Sequence, residues 1–249
     1  MKKIFTLSAA LIIAASPAFA ESIIQFTTSS DVPDSIIIHS DVNLNNYWKS
    51  TDIRVKKVQS VAQRIMLANK IDKRITFNLN RNLNTVNAST ATYTRTIDIY
   101  AGLLQYMSND DELAFVIAHE IAHAVETYTS PFKFAAMRYN SKKYEMKADL
   151  MAIDYMVKAG YNPIAAITVA NKIFDEAVFD WGFLYTHPKG SKRLAKIYKH
   201  IYVKYPNYLN SDMTSDSFFK TFENSMADEI KDIKMKEERR RNKNKGTAL

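Results

Sequence analysis

Asn109-Asp110-Asp111-Glu112-Leu113-Ala114-Phe115-Val116-Ile117-Ala118-His119-Glu120-Ile121-Ala122-His123 is the stretch on which the reading of this 249-residue chain turns. Asn109 with Glu112 three residues later has the form of an N-cap and capping box, which predicts a helix from about Asp110 to Tyr128. His119 and His123 lie four residues apart on that helix, slightly more than one turn. Both imidazoles therefore project from one face, and Glu120 falls on the neighbouring flank. The bland alternative is a pair of surface histidines on an amphipathic helix. It accounts poorly for Ala118, Ile121, Ala122 and Ala124, which are small and apolar on every side of the pair. By composition alone, H-E-x-x-H arises by chance in about one chain of this length in a couple of hundred.

Two imidazoles at this spacing suit adjacent corners of a tetrahedral zinc site, and a catalytic site of that kind needs a third protein ligand. The next helix is predicted over Ser141 to Lys158, closed by Gly160. It carries Glu145, 22 residues beyond His123, and Asp149 one turn later. Two carboxylates at i and i+4 repel by a few tenths of a kcal/mol unless a cation lies between them. Alone they would read as solvating residues on a helix that also bears Lys142, Lys143 and Lys147; after H-E-x-x-H, Glu145 reads as the third zinc ligand. Asp149 reads as the acceptor behind a ligand imidazole, fixing its tautomer and tilt. Glu120 is then placed to take a proton from polarised water and pass it to a departing amine. The expectation is one Zn²⁺ per chain.

Outward from these two helices, Ile53, Val58, Val61, Ala62, Ile65 and Met66 recur at helical spacing within Lys49 to Lys70. Ile75 to Leu79, Thr85 to Ala88 and Thr96 to Tyr100 have strand composition and suggest a small sheet. Gly102 to Met107 reads as a helical turn. A helix begins at Asn162-Pro163, with Asn as cap and Pro in the first turn, and another fits Ser191 to Tyr202. Residues 21–45 give no firm assignment. Tyr198, Tyr202, Tyr205 and Tyr208 read as packing, and His39 and His200 as ordinary residues. The fold class expected is α+β, mostly helical with a small sheet.

At this point the chain resembles the gluzincin peptidases related to the CAAX prenyl protease and HtpX, in particular the soluble periplasmic BepA-like branch. The resemblance rests on His119-Glu120-x-x-His123, on Glu145-Met146-Lys147-Ala148-Asp149 matching E-x-x-A-D, and on Thr186-His187-Pro188 with Arg193 six residues after the histidine. It covers about residues 50–205. Asn87-Ala88, the strand Thr96 to Tyr100 and Gly102-Leu103-Leu104 look like the group's substrate-binding edge strand and the turn after it. Ser89, Thr90, Ala91 and Thr92 stand where the group usually carries aromatic and glycine residues. The resemblance implies a zincin-like fold whose edge strand lines the active-site cleft. It also implies that His187 and Arg193 approach the zinc. There His187 would donate to the oxyanion or cap the resting metal, and Arg193 would orient the carboxylates.

The first twenty residues combine Lys2 and Lys3, an apolar run from Ile4 to Ala15 and Ala18-Phe19-Ala20, the form of a signal peptide cleaved before Glu21. About twelve apolar residues are too few to span the roughly 30 Å of a bilayer core as a helix. With no cysteine in the sequence, compartment rests on that leader, and a bacterial periplasm is expected. Of the formal net charge of +8, Lys231 to Leu249 supplies eight Lys/Arg against three acids. The excess belongs to a basic C-terminal tail, 226–249, following a peptidase domain over 21–225. A solvated helix end is its plain reading, with weak contact to an anionic membrane surface as the functional one; nucleic acid is not expected as a partner. The expected substrates are polypeptides; the resemblance implies envelope proteins in quality control. The alternative is a periplasmic chaperone or assembly factor that binds polypeptides in the same cleft and cleaves rarely. A purely structural zinc domain would leave Glu120 without a task.

Overall fold

The computed structural model describes residues 34–38, 53–91, 94–126, 141–175 and 191–246. The leader, His39 and His187 lie outside the described residues. The sheet is built from β1 (Asp34–Ile38), β2 (Ile75–Asn80), β3 (Ala88–Ala91) and β4 (Thr96–Tyr100), in the order β1-β2-β4-β3. β2 runs parallel to β4 with Phe77 opposite Ile97, while β1 and β3 are antiparallel to their neighbours. β1 falls in the stretch for which sequence gave no assignment. β2 alternates buried and half-buried positions, with Ile75, Phe77 and Leu79 on the core face, as period-two patterning requires.

Two expectations about the sheet need correction. The strand expected at Thr85 to Ala88 lies at Ala88–Ala91 instead. Residues 80–84 are taken up by Asx turns, in which Asn80 and Asn82 each accept the N–H two residues on. The chain then wraps Gly102, whose N–H donates to the Asn82 carbonyl. A Cβ on Gly102 would lie 2.3 Å from the Thr85 carbonyl oxygen and 2.6 Å from that of Leu83, so only glycine admits this approach. Because Tyr100 N–H donates to the Asn87 carbonyl, pairing with β4 begins there. The second correction follows: Thr96–Tyr100 is an inner strand, and β3 is the edge strand beside it, with its outer side unpaired among the described residues.

The helices are α1 (Ile53–Ala68), α2 (Ala101–Leu104), α3 (Asp110–Glu126), α4 (Ser141–Lys158), α5 (Ala165–Asp175), α6 (Ser191–Lys204), α7 (Ser217–Ser225) and α8 (Ala227–Gly246). Helix α3 is the axis of the molecule. Every residue from Glu112 to Ala124 is buried, because α1, α4, α5 and β3 all pack against it. Its start is fixed as expected, with Glu112 N–H donating to Asn109 Oδ1, although the Glu112 carboxylate reaches back to Ser108 N–H. That carboxylate also pairs with buried Lys172 of α5, whose Nζ donates further to Ser108 Oγ and the Tyr106 carbonyl. Gly160 closes α4 at φ +72°. Asn162 Oδ1 accepts from Ile164 N–H ahead of α5.

Within the segment read as a basic tail, α8 has Ile230 and Glu237 buried, and Lys199 of α6 pairs with Glu237 at 2.8 Å. The tyrosines read as packing do pack: Tyr198 is buried, stacked on Tyr202 with centroids 6.2 Å apart and tilted against Phe222. Among the described residues no helix is long and apolar enough to cross a membrane.

Candidate active site

The side chains of α3 and α4 meet at the middle of their contact. His119 Nε2 and His123 Nε2 lie 3.1 Å apart. Glu145 of α4 reaches between them, its Oε2 3.3 Å from His119 Nε2 and its Oε1 3.2 Å from His123 Nε2. Ligand atoms about 2.0 Å from a tetrahedral ion sit about 3.3 Å from one another, so the two Nε2 atoms are spaced as one edge of a zinc tetrahedron, and each has a different Glu145 oxygen at a similar spacing. All three residues are buried and form a group able to hold a metal. Helix geometry sets the histidine pair, since one turn carries His123 back over His119, and the rings meet edge to face at 83°.

Charge gives a second test of fit. Glu120, Glu145 and Asp149 are all buried, and Arg193 is the buried cation beside them. With the histidines neutral, as metal ligands are, these described side chains sum to two formal negative charges, the complement of a divalent ion. Burial alone disfavours a charged His119, yet the Asp149 and Glu145 carboxylates outweigh it and push the imidazole up to about 10. The pocket attracts positive charge strongly.

Asp149 sits behind His119, with Oδ1 3.0 Å from Nδ1. Arg193 of α6 holds Asp149 by two hydrogen bonds, Nε to Oδ2 at 2.8 Å and Nη2 to Oδ1 at 2.7 Å. Its Nη2 is also 3.6 Å from Glu145 Oε2. Burial raises the Asp149 pKa, and the hydrogen bonds from His119 and Arg193 overcome it and keep the carboxyl below the usual carboxylate range. A carboxylate in this position fixes Nδ1–H on His119 and leaves Nε2 as the donor atom to a metal.

The structure thus brings together His119, Glu120, His123, Glu145, Asp149 and Arg193. One residue of the site was missed. Thr90 of β3 places its Oγ1 2.5 Å from Glu120 Oε2 and 3.0 Å from the Glu120 carbonyl oxygen. Sequence showed Thr90 only as a departure from the related pattern; its meeting with Glu120 depends on how β3 folds against α3.

Comparison with known proteins agrees with this geometry. The model of "Peptidase family M48" matches residues 52–130 and 126–201. The mitochondrial metalloendopeptidase OMA1 of Arabidopsis thaliana is 32% identical over an aligned stretch covering 39% of this chain and 26% of the relative. This chain thus aligns with about a quarter of that relative's length. With the family match running across His119, His123 and Glu145, a group able to hold a metal ion, and across the helices that carry them, the chain belongs to peptidase family M48.

Proposed function

We propose that this chain is a zinc endopeptidase that hydrolyses extended polypeptides laid along the outer edge of β3. The observation that carries the reading is that Glu120, adjacent to His119 of the metal-ligand group on α3, is hydrogen-bonded to Thr90 of β3. A substrate in extended form would add its backbone hydrogen bonds to β3, leaving side chains to set preference. When bound to His119, His123 and Glu145, zinc supplies a Lewis acid that lowers the pKa of water toward neutrality and polarises a carbonyl. Glu120 accepts the proton of the attacking water on its carboxylate and returns it to the amide nitrogen that leaves. Asp149 holds the His119 ring through Nδ1, and Arg193 holds Asp149. His187 is proposed to donate to the tetrahedral oxyanion, with capping of the resting metal as its other role.

Glu120 is fully buried, so a substrate carbonyl reaches it only after the surrounding residues part. The same burial favours the second reading, a chaperone or assembly factor that holds polypeptide in the cleft and cleaves rarely.

The leader-like residues 1–20 support export to a bacterial periplasm, ahead of a peptidase domain over 21–225 and a basic segment over 226–249. The E-x-x-A-D and Thr186-His187-Pro188 pattern supports the BepA-like branch. Together these suggest envelope proteins, in quality control, as substrates. The basic residues of α8 suggest weak contact with an anionic membrane surface. The relative's description as a metalloendopeptidase supports internal cleavage of chains.

Casein turnover by the metal-replete protein, abolished by Glu120→Gln, is the outcome expected of the enzyme. Suppression of aggregation that survives Glu120→Gln, with no turnover by either protein, would establish the chaperone reading instead. Export is tested separately, by fractionating bacteria that express the full chain; a protein retained with an uncleaved leader in the cytoplasm would refute the periplasmic assignment.

A further inference from the structure

Among the described residues of the site, Thr90 alone lies on β3. Tyr100 N–H donates to the Asn87 carbonyl, and the β3–β4 register places Ser89 opposite Asp98 and Thr90 opposite Ile97. In an antiparallel pair the hydrogen-bonded positions alternate, so Asn87 and Ser89 direct their backbone groups toward β4, while Ala88 and Thr90 direct theirs to the outer edge. The Thr90 side chain faces α3, where its hydroxyl meets Glu120 Oε2 at 2.5 Å. Carboxylate and carbonyl oxygens can only accept, so the hydroxyl is the donor, and the charged oxygen is the closer of its two acceptors.

We propose that Thr90 is a positioning residue that registers the Glu120 carboxylate against the strand that binds the substrate backbone. This rests on the endopeptidase reading above and deepens it. With Oε2 held by the hydroxyl, the carboxylate cannot rotate freely about its last torsion, and its other oxygen keeps a fixed direction relative to β3. A substrate paired to the Thr90 N–H and carbonyl is then aligned with the base through one residue. The coupling shortens the chain of contacts between binding and proton transfer to a single side chain, which is where small displacements cost most in rate.

Thr90→Val keeps the β-branched shape and removes the hydroxyl; Thr90→Ser keeps the hydroxyl. In the full chain loaded with zinc, Thr90→Val is expected to lower kcat on a quenched peptide by about tenfold to a hundredfold, the range for a lost hydrogen bond to a charged group. KM and zinc content should stay within about twofold, and Thr90→Ser should recover most of the rate. Calorimetry gives a readout independent of turnover. A peptide hydroxamate, whose hydroxyl hydrogen-bonds to the base, should bind Thr90→Val more weakly, whereas a peptide thiol, which needs only the metal, should bind it as it binds the wild type. Unchanged or raised kcat in Thr90→Val, or equal weakening of both inhibitors, overturns the proposal. Glu120→Gln separates the two levels: if it is inactive while Thr90→Val is not impaired, only the role of Thr90 fails. If Glu120→Gln cleaves as fast as an active wild type, Glu120 is not the base and the role of Thr90 fails with it; if neither protein cleaves, the endopeptidase reading itself fails.

Discussion

Asp149 and Arg193 are joined at two points, with Nε 2.8 Å from Oδ2 and Nη2 2.7 Å from Oδ1, and the same Oδ1 lies 3.0 Å from His119 Nδ1. One carboxylate therefore fixes a ligand imidazole on one side and is itself fixed on the other. The guanidinium comes from α6, a helix distant in sequence from both histidines, so the ligand geometry depends on how three helices dock.

This arrangement separates ligand from support. Asp149→Asn should weaken zinc binding by about ten- to a hundredfold, the usual scale for a residue behind a ligand histidine. Glu145→Ala removes a donor atom and should weaken it much further. Competition with a chelator of known affinity measures both; equal losses in the two variants would refute the distinction.

His187 lies outside the described residues, and its role is testable by sign. As an oxyanion donor, His187→Ala should leave zinc content and KM nearly intact and lower kcat by about a hundredfold or more. As a cap on the resting metal, the same change should raise activity. Unchanged kinetics would remove both roles.

The buried Lys172–Glu112 pair joins α5 to the start of α3, with Nζ 2.8 and 2.9 Å from the two carboxylate oxygens. Lys172→Met strands a buried carboxylate and should cost about 3–5 kcal/mol in chemical unfolding. Adding Glu112→Leu should recover part of that loss, since the remaining neighbours then face no uncompensated charge. A loss below about 1 kcal/mol in Lys172→Met would show that the pair does not pin the two helices.

Asp154 accepts from His200 Nε2, Lys204 Nζ and Tyr205 Oη at 2.7–2.8 Å. Burial raises its pKa, and these three donors outweigh burial and hold it well below the usual range. A carboxyl depressed in the folded state contributes stability above its unfolded pKa of about 3.9 and loses it as pH falls toward the folded value. Asp154→Asn should therefore be less stable than the wild type at pH 7, with the gap narrowing below about pH 4. A gap of the same size at pH 3 and pH 7 would contradict this.

How much of this was legible in the sequence depends on the range of the interaction. His119, Glu120 and His123 are set by the pitch of one helix, and Asn109 and Glu112 mark where that helix begins. Glu145 and Asp149 follow from one-turn spacing on α4. Arg193 came through the related pattern, because nothing in α6 alone distinguishes a buried guanidinium from a surface charge. The strand at Ala88–Ala91 was displaced in the reading because Thr85 and Val86 have strand composition, while the turn around Gly102 is set by tertiary contact. Thr90 and Lys172 were invisible for the same reason: each acquires its partner across the fold, 30 and 60 residues away. His200, read as ordinary, joins the Asp154 cluster only because α4 and α6 pack side by side.

The central claim is that His119, His123 and Glu145 hold one catalytic zinc, and elemental analysis of the purified metal-replete protein tests it most directly. The wild type should carry about one zinc per chain, and the His119→Ala/His123→Ala variant should carry almost none while retaining its helical circular dichroism. Absence of zinc from the wild type, or stoichiometric zinc retained by that folded variant, would contradict the account.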